Sequence, residues 1–463
     1  MALIKSISGI RGTIGGKVDE GLDPLAVVRF TAAYASFIRR GRGGGEAPLI
    51  VVGRDARLSG DMVRQLVTAT LSAMGCRVTD VGLATTPTVE LAVIGEQAAG
   101  GLILTASHNP AHWNALKLLN GHGEFLNVEE GAEVLAIAEA NDFSFAPADQ
   151  LGGITSADYA QRHIDAILRL PLVDTAAIRA AGFHIAVDTI NSVGTYIIPN
   201  LLQALGVREV SLINGTPDGR FAHNPEPLPE HLVEISRTVG EGGFDLGFVV
   251  DPDVDRLAVI CEDGSMFGEE YTLVAVADYV FERTSHGGAV SNLSSSRALK
   301  DLALSHGRAY HASAVGEVNV VACMKETGAV IGGEGNGGII YPELHYGRDA
   351  LVGIALFLSH LAHKRMKPSQ LRKLYPAYHI SKQKLELTPD IDIDALLSAF
   401  RHAYPYPVTD IDGIRIDFPD RWIHLRKSNT EPIIRIYAEA PNSMQADELA
   451  QDAIRILRQN TLV

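Results

Sequence analysis

The sequence predicts an α/β protein: three similar α/β domains with mixed sheets, followed by a smaller α+β domain. Three observations predict it. The 463 residues suffice for about three domains at ~150 residues each. Short apolar, β-rich runs alternate with helical patterns in three successive stretches, as sheets flanked by helices require. In the last ~90 residues consecutive strands and one closing helix replace that alternation, so a fourth domain of another class ends the chain. The expected divisions are 1–150, 151–255, 256–370 and 371–463.

Asp23-Pro24 starts the first helix, with Asp as N-cap and Pro at the first helical position. Leu25, Val28, Ala32 and Ala35 keep helical spacing and mark its expected apolar face. Strands follow at 49–53 (LIVVG) and 76–82, separated by a helix over 60–74 that Gly75 closes. A helix over 87–94 leads to a strand expected at 101–107, GLILTAS. Residues 141–155 lack periodicity and read as a linker, and GRGGGE (41–46) as a surface loop. The second alternation has strands at 183–188, 210–214 and 245–251, with helices over 193–205 and 229–239. The third has strands at 289–292, 309–313 and 329–333, with helices near 296–306 and 317–326. Strands at 414–418, 422–428 and 433–439 precede the final helix over 443–458.

Composition narrows the function. Hydrophobic residues make up 46% and charged residues 21%, which supports packed cores rather than disorder. With 40 Lys and Arg against 55 Asp and Glu, the formal charge is −15, which argues against a nucleic-acid partner. An anionic ligand then needs a local cluster of cations. Three scattered cysteines make neither a disulfide framework nor a zinc site. The polar, glycine-interrupted start is unlike a signal peptide, and no run of ~20 apolar residues occurs. A cytoplasmic protein without a membrane partner is expected.

Open α/β sheets bind ligands beyond the carboxyl ends of their strands, so the loops after strands carry the candidate chemistry. TASHNP (105–110) offers Ser107 beside His108, with Lys117 nearby as a source of charge or of a proton. A helix-capping Ser and a solvated Lys are the plain alternatives. It lacks the glycines of the hydrolase elbow. DPDVDR (251–256) sets Asp251, Asp253 and Asp255 at period two, a donor set that suits Mg²⁺. An EF-hand is rejected because Arg256 holds the glycine position and strands flank the loop. An aspartyl phosphatase, with Asp251 as nucleophile and Asp253 as acid, stays open, as does a solvated acidic turn. GGEGNGG (332–338) satisfies G-x-G-x-x-G, but a strand-like IIYP follows where a phosphate-cradling helix should begin. Its Glu334 and Asn336 suit neighbouring sugar hydroxyls. RKSNTEPIIR (426–435) concentrates Arg426, Ser428, Asn429, Thr430 and Arg435, the inventory of a phosphate clamp.

These four loops, in this order and spacing, resemble the α-D-phosphohexomutase superfamily over essentially the whole chain. TASHNP is similar to its phosphoserine loop, DPDVDR to its metal loop, GEGNGG to its sugar loop and RKSNTEP to its phosphate loop. ISGIRG (7–12) resembles an early segment whose arginine, here Arg11, faces the active centre. Two departures stand out: Asn336 replaces a common Ser, and Glu317 stands where some members have a histidine. The GEGNGG and YPELHYGRDA (341–350) combination is most similar to archaeal-like and some bacterial branches.

The resemblance implies four domains around a central cleft and exchange of hexose 6- and 1-phosphates through phosphorylated Ser107. It implies Mg²⁺ on Asp251, Asp253, Asp255 and an oxygen of the Ser107 phosphate, with a hexose bisphosphate as primer. Arg256, Lys117 and Arg11 would balance charge, Lys117 would carry a proton, and His108 would support the loop or contact phosphate. Phosphoglucosamine mutase is the expected activity, with a dual-specificity phosphomannomutase/phosphoglucomutase as the alternative. A Mg²⁺-dependent sugar-phosphate phosphatase and a non-catalytic sensor are the readings of other classes. Monomer and homodimer are both compatible with the sequence.

Overall fold

The computed structural model describes residues 2–6, 9–41, 46–386, 393–427 and 433–460. They form two compact units, Met1–Thr272 with Asn336–Leu371, and Leu273–Gly335 with Arg372–Val463.

In the first unit, β1 (Leu3–Ser6), β2 (Gly9–Thr13), β3 (Leu49–Arg54), β4 (Arg77–Leu83), β5 (Gly100–Leu104), β6 (Trp113–Leu119) and β7 (Ile154–Ser156) build one sheet. Their order is β1-β2-β6-β5-β3-β4-β7. β3 pairs parallel with β4 and β5, while β6 runs antiparallel to β5 and β2. The centre of the sheet is buried on both faces, which explains the unbroken apolar runs. Ile50, Val52, Leu102 and Leu104 pack with Phe30 and Tyr34 of the helix Pro24–Gly41. Val51 and Ile103 pack on the opposite face with Val89, Ala92 and Val93 of the helix Thr86–Gly95. A second sheet has β8 (His184–Asp188), β9 (Glu209–Ile213), β10 (Leu246–Val250) and β11 (Leu257–Cys261) in the order β11-β10-β8-β9. β8, β9 and β10 are parallel, and β11 returns antiparallel to β10.

In the second unit, β12 (Ala289–Asn292), β13 (Tyr310–Ser313) and β14 (Ile331–Glu334) are parallel, with β12 in the middle. β15 (Gly338–Ile340) lies in the first unit. The chain ends in an antiparallel sheet of β16 (His379–Glu386), β17 (Val408–Thr409), β18 (Ile414–Asp417), β19 (Trp422–Lys427) and β20 (Ile433–Ala440). Leu449, Ala453 and Leu457 of the helix Ser443–Asn460 pack into its core beside Ile416, Ile423 and Ile436. The alternating α/β pattern and the change of class near the C-terminus are therefore as the sequence predicted.

Three details differ. Leu25 is 63% exposed and Val28 half-buried, whereas Ala32 and Ala35 are buried as expected, with Ala26, Val27 and Phe30 beside them. Within the expected linker, Ile154–Ser156 adds an edge strand parallel to β4. Its three residues are exposed, so no apolar alternation announced it. The strand expected over 101–107 ends at Leu104, since Ser107 turns to φ +48°. Among the described residues no helix is long and apolar enough to cross a membrane.

Asp23 Oδ1 accepts hydrogen bonds from Leu25 N at 2.8 Å and Ala26 N at 3.0 Å, an N-cap as predicted. Asp23→Ala is expected to cost about 1 kcal/mol in urea unfolding, and Asp23→Asn markedly less.

Candidate active site

The site is assembled in the first unit from the carboxyl ends of β3, β5 and β10, where parallel strands deliver their loops to one edge. After β5, Thr105 Oγ1 accepts from Ser107 N at 3.0 Å and donates to Asp55 Oδ2 at 2.6 Å. Asp55 follows β3 and also holds Arg57 Nε at 3.0 Å, with both side chains fully buried. Arg57 then donates to the carbonyls of Ser107 (2.5 Å), Asn109 (2.6 Å), Pro110 (2.7 Å) and Trp113 (3.0 Å). One guanidinium thus fixes the whole turn carrying Ser107, including its left-handed backbone.

Ser107 Oγ donates to Asp251 Oδ2 at 2.7 Å and lies 3.3 Å from His108 Nδ1. Asp251 directly follows β10, and its Oδ1 accepts from the amides of Asp255 and Arg256, both at 3.1 Å. Val254 at φ +62° bends the loop between them, so the carboxylates converge through a turn rather than an extended segment. One ligand atom from each of Asp251, Asp253 and Asp255 lies within 4.8 Å of the others, and all three residues are 0% exposed.

Cations crowd this acidic centre. Lys117 Nζ is 2.7 Å from Asp253 Oδ2 and 3.7 Å from Asp255 Oδ2. Arg348 Nη2 reaches Asp255 Oδ2 at 2.7 Å. Arg256 is buried, with Nη1 3.6 Å from Glu226 Oε1. Arg11 Nη1 donates to Asn109 Oδ1 at 3.2 Å. Arg11 on β2 stands opposite Ala115 on β6, two residues from Lys117, so Arg11 and Lys117 share a face of the sheet.

The charges set the protonation pattern. Burial and the charges of Asp255 and Asp253 push the Asp251 carboxyl well above its ordinary range. Burial works the same way on Asp253, but Lys117 and the Thr86 hydroxyl outweigh it and hold that carboxyl low. For Lys117, burial opposes the charge, yet Asp253 and Asp255 hold the ammonium above its usual value. His108 is driven well below its ordinary value by burial and by Arg256, Arg11 and Arg348, so it is a neutral imidazole near pH 7.

The donor set fits a hard cation. Asp253 Oδ1 and Asp255 Oδ1 are buried and make no hydrogen bond within the described structure. Two such oxygens beside a third carboxylate are costly unless a cation binds them, and all-oxygen donors suit Mg²⁺.

Most of the remaining predicted residues belong to the second unit. Glu334 ends β14 in the second unit, where its Oε1 accepts from Asn292 Nδ2 at 2.8 Å and Gly316 N at 3.2 Å. Glu317 is buried at the start of the helix Glu317–Thr327. Asn336 belongs to the first unit and its Oδ1 accepts from Gly338 N at 3.2 Å. Arg426 and Arg435 face each other across β19 and β20, with Arg426 Nη1 3.2 Å from Asp412 Oδ2. Ser428, Asn429 and Thr430 lie outside the described residues. Sequence reasoning missed Asp55, Arg57, Thr105, Thr86 and Arg348. GRDAR (53–57) follows an apolar strand, so the rule used for the other loops would have found the first two.

The sequence matches the phosphoglucomutase/phosphomannomutase profiles for α/β/α domain I over residues 3–145, domain II over 161–264 and domain III over 268–378. It matches that for the C-terminal domain over 366–456. The chain belongs to the phosphoglucomutase/phosphomannomutase family. It is 35% identical to a phosphoglucomutase/phosphomannomutase from Thermococcus kodakarensis, covering 97% of this chain and 98% of the relative. It is 32% identical to a probable phosphoglucosamine mutase from Methanopyrus kandleri, covering 97% of each chain. A phosphoglucomutase/phosphomannomutase family protein from Burkholderia thailandensis has a similar crystal structure, with TM-score 0.83, 26% identity and 98% of each chain covered. The chain is accordingly a phosphohexomutase-family enzyme, an intramolecular phosphotransferase by class.

Arg57→Met strips the Ser107 turn of its anchor and leaves Asp55 buried without its cation. A loss of about 3–5 kcal/mol is expected in denaturant unfolding. Adding Asp55→Asn recovers part of it, whereas independent sites would give additive losses.

Proposed function

We propose that this enzyme interconverts hexose 6-phosphates and hexose 1-phosphates, with Ser107 carrying the phosphoryl group. The observation that carries the reading is the Ser107 hydroxyl, held 2.7 Å from Asp251 at the edge of a buried three-carboxylate centre. In the first half-reaction the bond from phosphorus to Ser107 Oγ breaks as a bond to the free sugar hydroxyl forms. The bisphosphate then presents its other end, and that phosphoryl group returns to Ser107. Mg²⁺ held by Asp251, Asp253 and Asp255, with an oxygen of the Ser107 phosphate, would neutralise carboxylate charge and draw electron density from phosphorus. A hexose bisphosphate would prime an unphosphorylated enzyme.

The chain's own groups have distinct tasks in this scheme. Arg57 fixes the Ser107 turn, and Arg11, Arg256 and Arg348 offset the phosphate's charge of about −2. Lys117, held as an ammonium by its carboxylate neighbours, is assigned the proton transfer: it gives a proton to the departing serine oxygen, and the proton released by the attacking sugar hydroxyl restores it. Neutral His108 braces the hydroxyl side of Ser107. In the second unit, Glu334 is assigned to sugar hydroxyls and the Arg426–Arg435 pair to phosphate, together with Ser428, Asn429 and Thr430. Asn336 is assigned to the sugar as well.

Glucosamine phosphate is the proposed substrate, in line with the Methanopyrus relative's name. Glucose and mannose phosphates are the second reading, favoured by the name of the Thermococcus relative at 35% identity. Assays of the three monophosphates side by side, with a trace of bisphosphate, decide between them by kcat/KM.

Intact-mass measurement should find one phosphate on part of the purified protein. Ser107→Ala should abolish that phosphate and lower exchange by about 10⁴-fold or more. Full turnover in Ser107→Ala, with loss in Asp251→Asn, would instead establish a phosphatase using Asp251. Chelation should stop exchange, and added Mg²⁺ should restore it.

A further inference from the structure

A second ionic cluster is buried in the first unit, and the chemistry above makes no use of it. Asp349 Oδ2 accepts from His163 Nε2 at 2.9 Å and from His345 Nε2 at 3.3 Å. His345 Nδ1 lies 3.3 Å from Glu90 Oε2, and His163 Nδ1 lies 2.9 Å from Thr88 Oγ1. The imidazoles meet edge to face with centroids 6.5 Å apart. None of Glu90, His163, His345 and Asp349 is more than 5% exposed. Burial disfavours a charged His345, but Asp349 and Glu90 outweigh it and raise its pKa to about 10. A buried ion cluster is weak evidence of added stability, because apolar packing of equal volume often does as well. Its geometry points to another use.

Three segments meet at this cluster, and two of them run on to the acidic centre. The helix Thr86–Gly95 supplies Thr88 and Glu90, and its first residue, Thr86, donates Oγ1 to Asp253 Oδ2 at 2.6 Å. The Thr86 amide bonds the Asp253 carbonyl at 2.9 Å. The loop bearing His345 and Asp349 also carries Arg348, which reaches Asp255 at 2.7 Å. Asp349 Oδ1 caps the helix Ala350–Lys364, accepting from Leu351 N and Val352 N, and the Ala350 amide bonds the Val254 carbonyl at 3.2 Å. The helix Ala160–Leu168 contributes His163 as the third tie. Two glycines keep the arrangement open. A Cβ on Gly347 would stand 1.9 Å from Glu90 Oε2, and one on Gly338 would stand 2.3 Å from Arg348 Cδ.

We infer that Glu90, His163, His345 and Asp349 form a positioning cluster that sets Asp253 and Asp255 for the metal, acting through Thr86 and Arg348. The inference rests on the metal role proposed for the aspartate triad. None of the four touches the reacting atoms. The cluster acts as outer-shell partners do, fixing the orientation of the groups that hold the ligands.

The test uses the full-length chain and its Asp349→Asn, His345→Gln and Gly338→Ala variants. Asparagine keeps the cap and the shape of Asp349 but removes its charge, and the melting temperature checks that each variant is folded. Mg²⁺ binding is measured by titration calorimetry, beside kcat, sugar-phosphate KM and melting temperature. Each variant should bind Mg²⁺ about 10-fold more weakly or worse. At subsaturating Mg²⁺ kcat should fall, KM should stay within about twofold, and excess Mg²⁺ should restore part of kcat. Gly338→Ala, which displaces Arg348 without touching the cluster, should reproduce the loss. Variants that melt lower but bind Mg²⁺ like the parent chain would overturn the inference and reduce the cluster to a structural one. A parent chain that binds no Mg²⁺ would overturn the metal reading itself, and the inference with it.

Discussion

The structure depends on keeping three carboxylates together out of water. Asp251, Asp253 and Asp255 are fully buried in one turn, and mutual repulsion would scatter them without compensation. Lys117 and Arg348 supply direct partners, and backbone amides of the same turn satisfy Asp251. Among the described residues two carboxylate oxygens still find no hydrogen bond, and that unmet demand is what suits the centre to a divalent cation. An overall charge of −15 therefore coexists with a local cluster of cations.

The fold meets this demand by placing strand ends. Parallel pairing of β3 with β5 brings Asp55 and Arg57 beside the Ser107 turn, and the loop after β10 brings Asp251 to its hydroxyl. β6 runs antiparallel to both β5 and β2, and the register that sets Arg11 opposite Ala115 puts Arg11 and Lys117 on one face. Arg11 and Lys117 lie on strands, and the turns bearing Ser107 and the aspartates start within a few residues of strand ends. A site built on rigid elements keeps its geometry better than one built on free loops.

Much of this was readable beforehand, and the exceptions are instructive. The helix starting at Pro24 was legible because a cap is a local hydrogen bond, and Ala32 and Ala35 are buried as its periodicity required, but Leu25 in its first turn is exposed. β7 was illegible because an exposed edge strand has no apolar alternation. Lys117 read from sequence as a surface lysine as readily as a functional one. Its burial follows from β6 pairing between β2 and β5, a non-local fact. Arg348 lay inside the YPELHYGRDA segment, but nothing local singled it out, since its partner Asp255 lies far away in the chain.

By itself the sequence determined the alternation of strands and helices, the loops that bear chemistry and the donor types in each. These follow from local periodicity, turn residues and side-chain functional groups. Tertiary structure alone decided which of those groups meet. It joined Ser107 to Asp251 and Arg348 to Asp255, and it tied Asp349 to two histidines and through one of them to Glu90. Such pairings depend on strand order and helix packing, which connect residues far apart in the chain and leave no periodic trace in it.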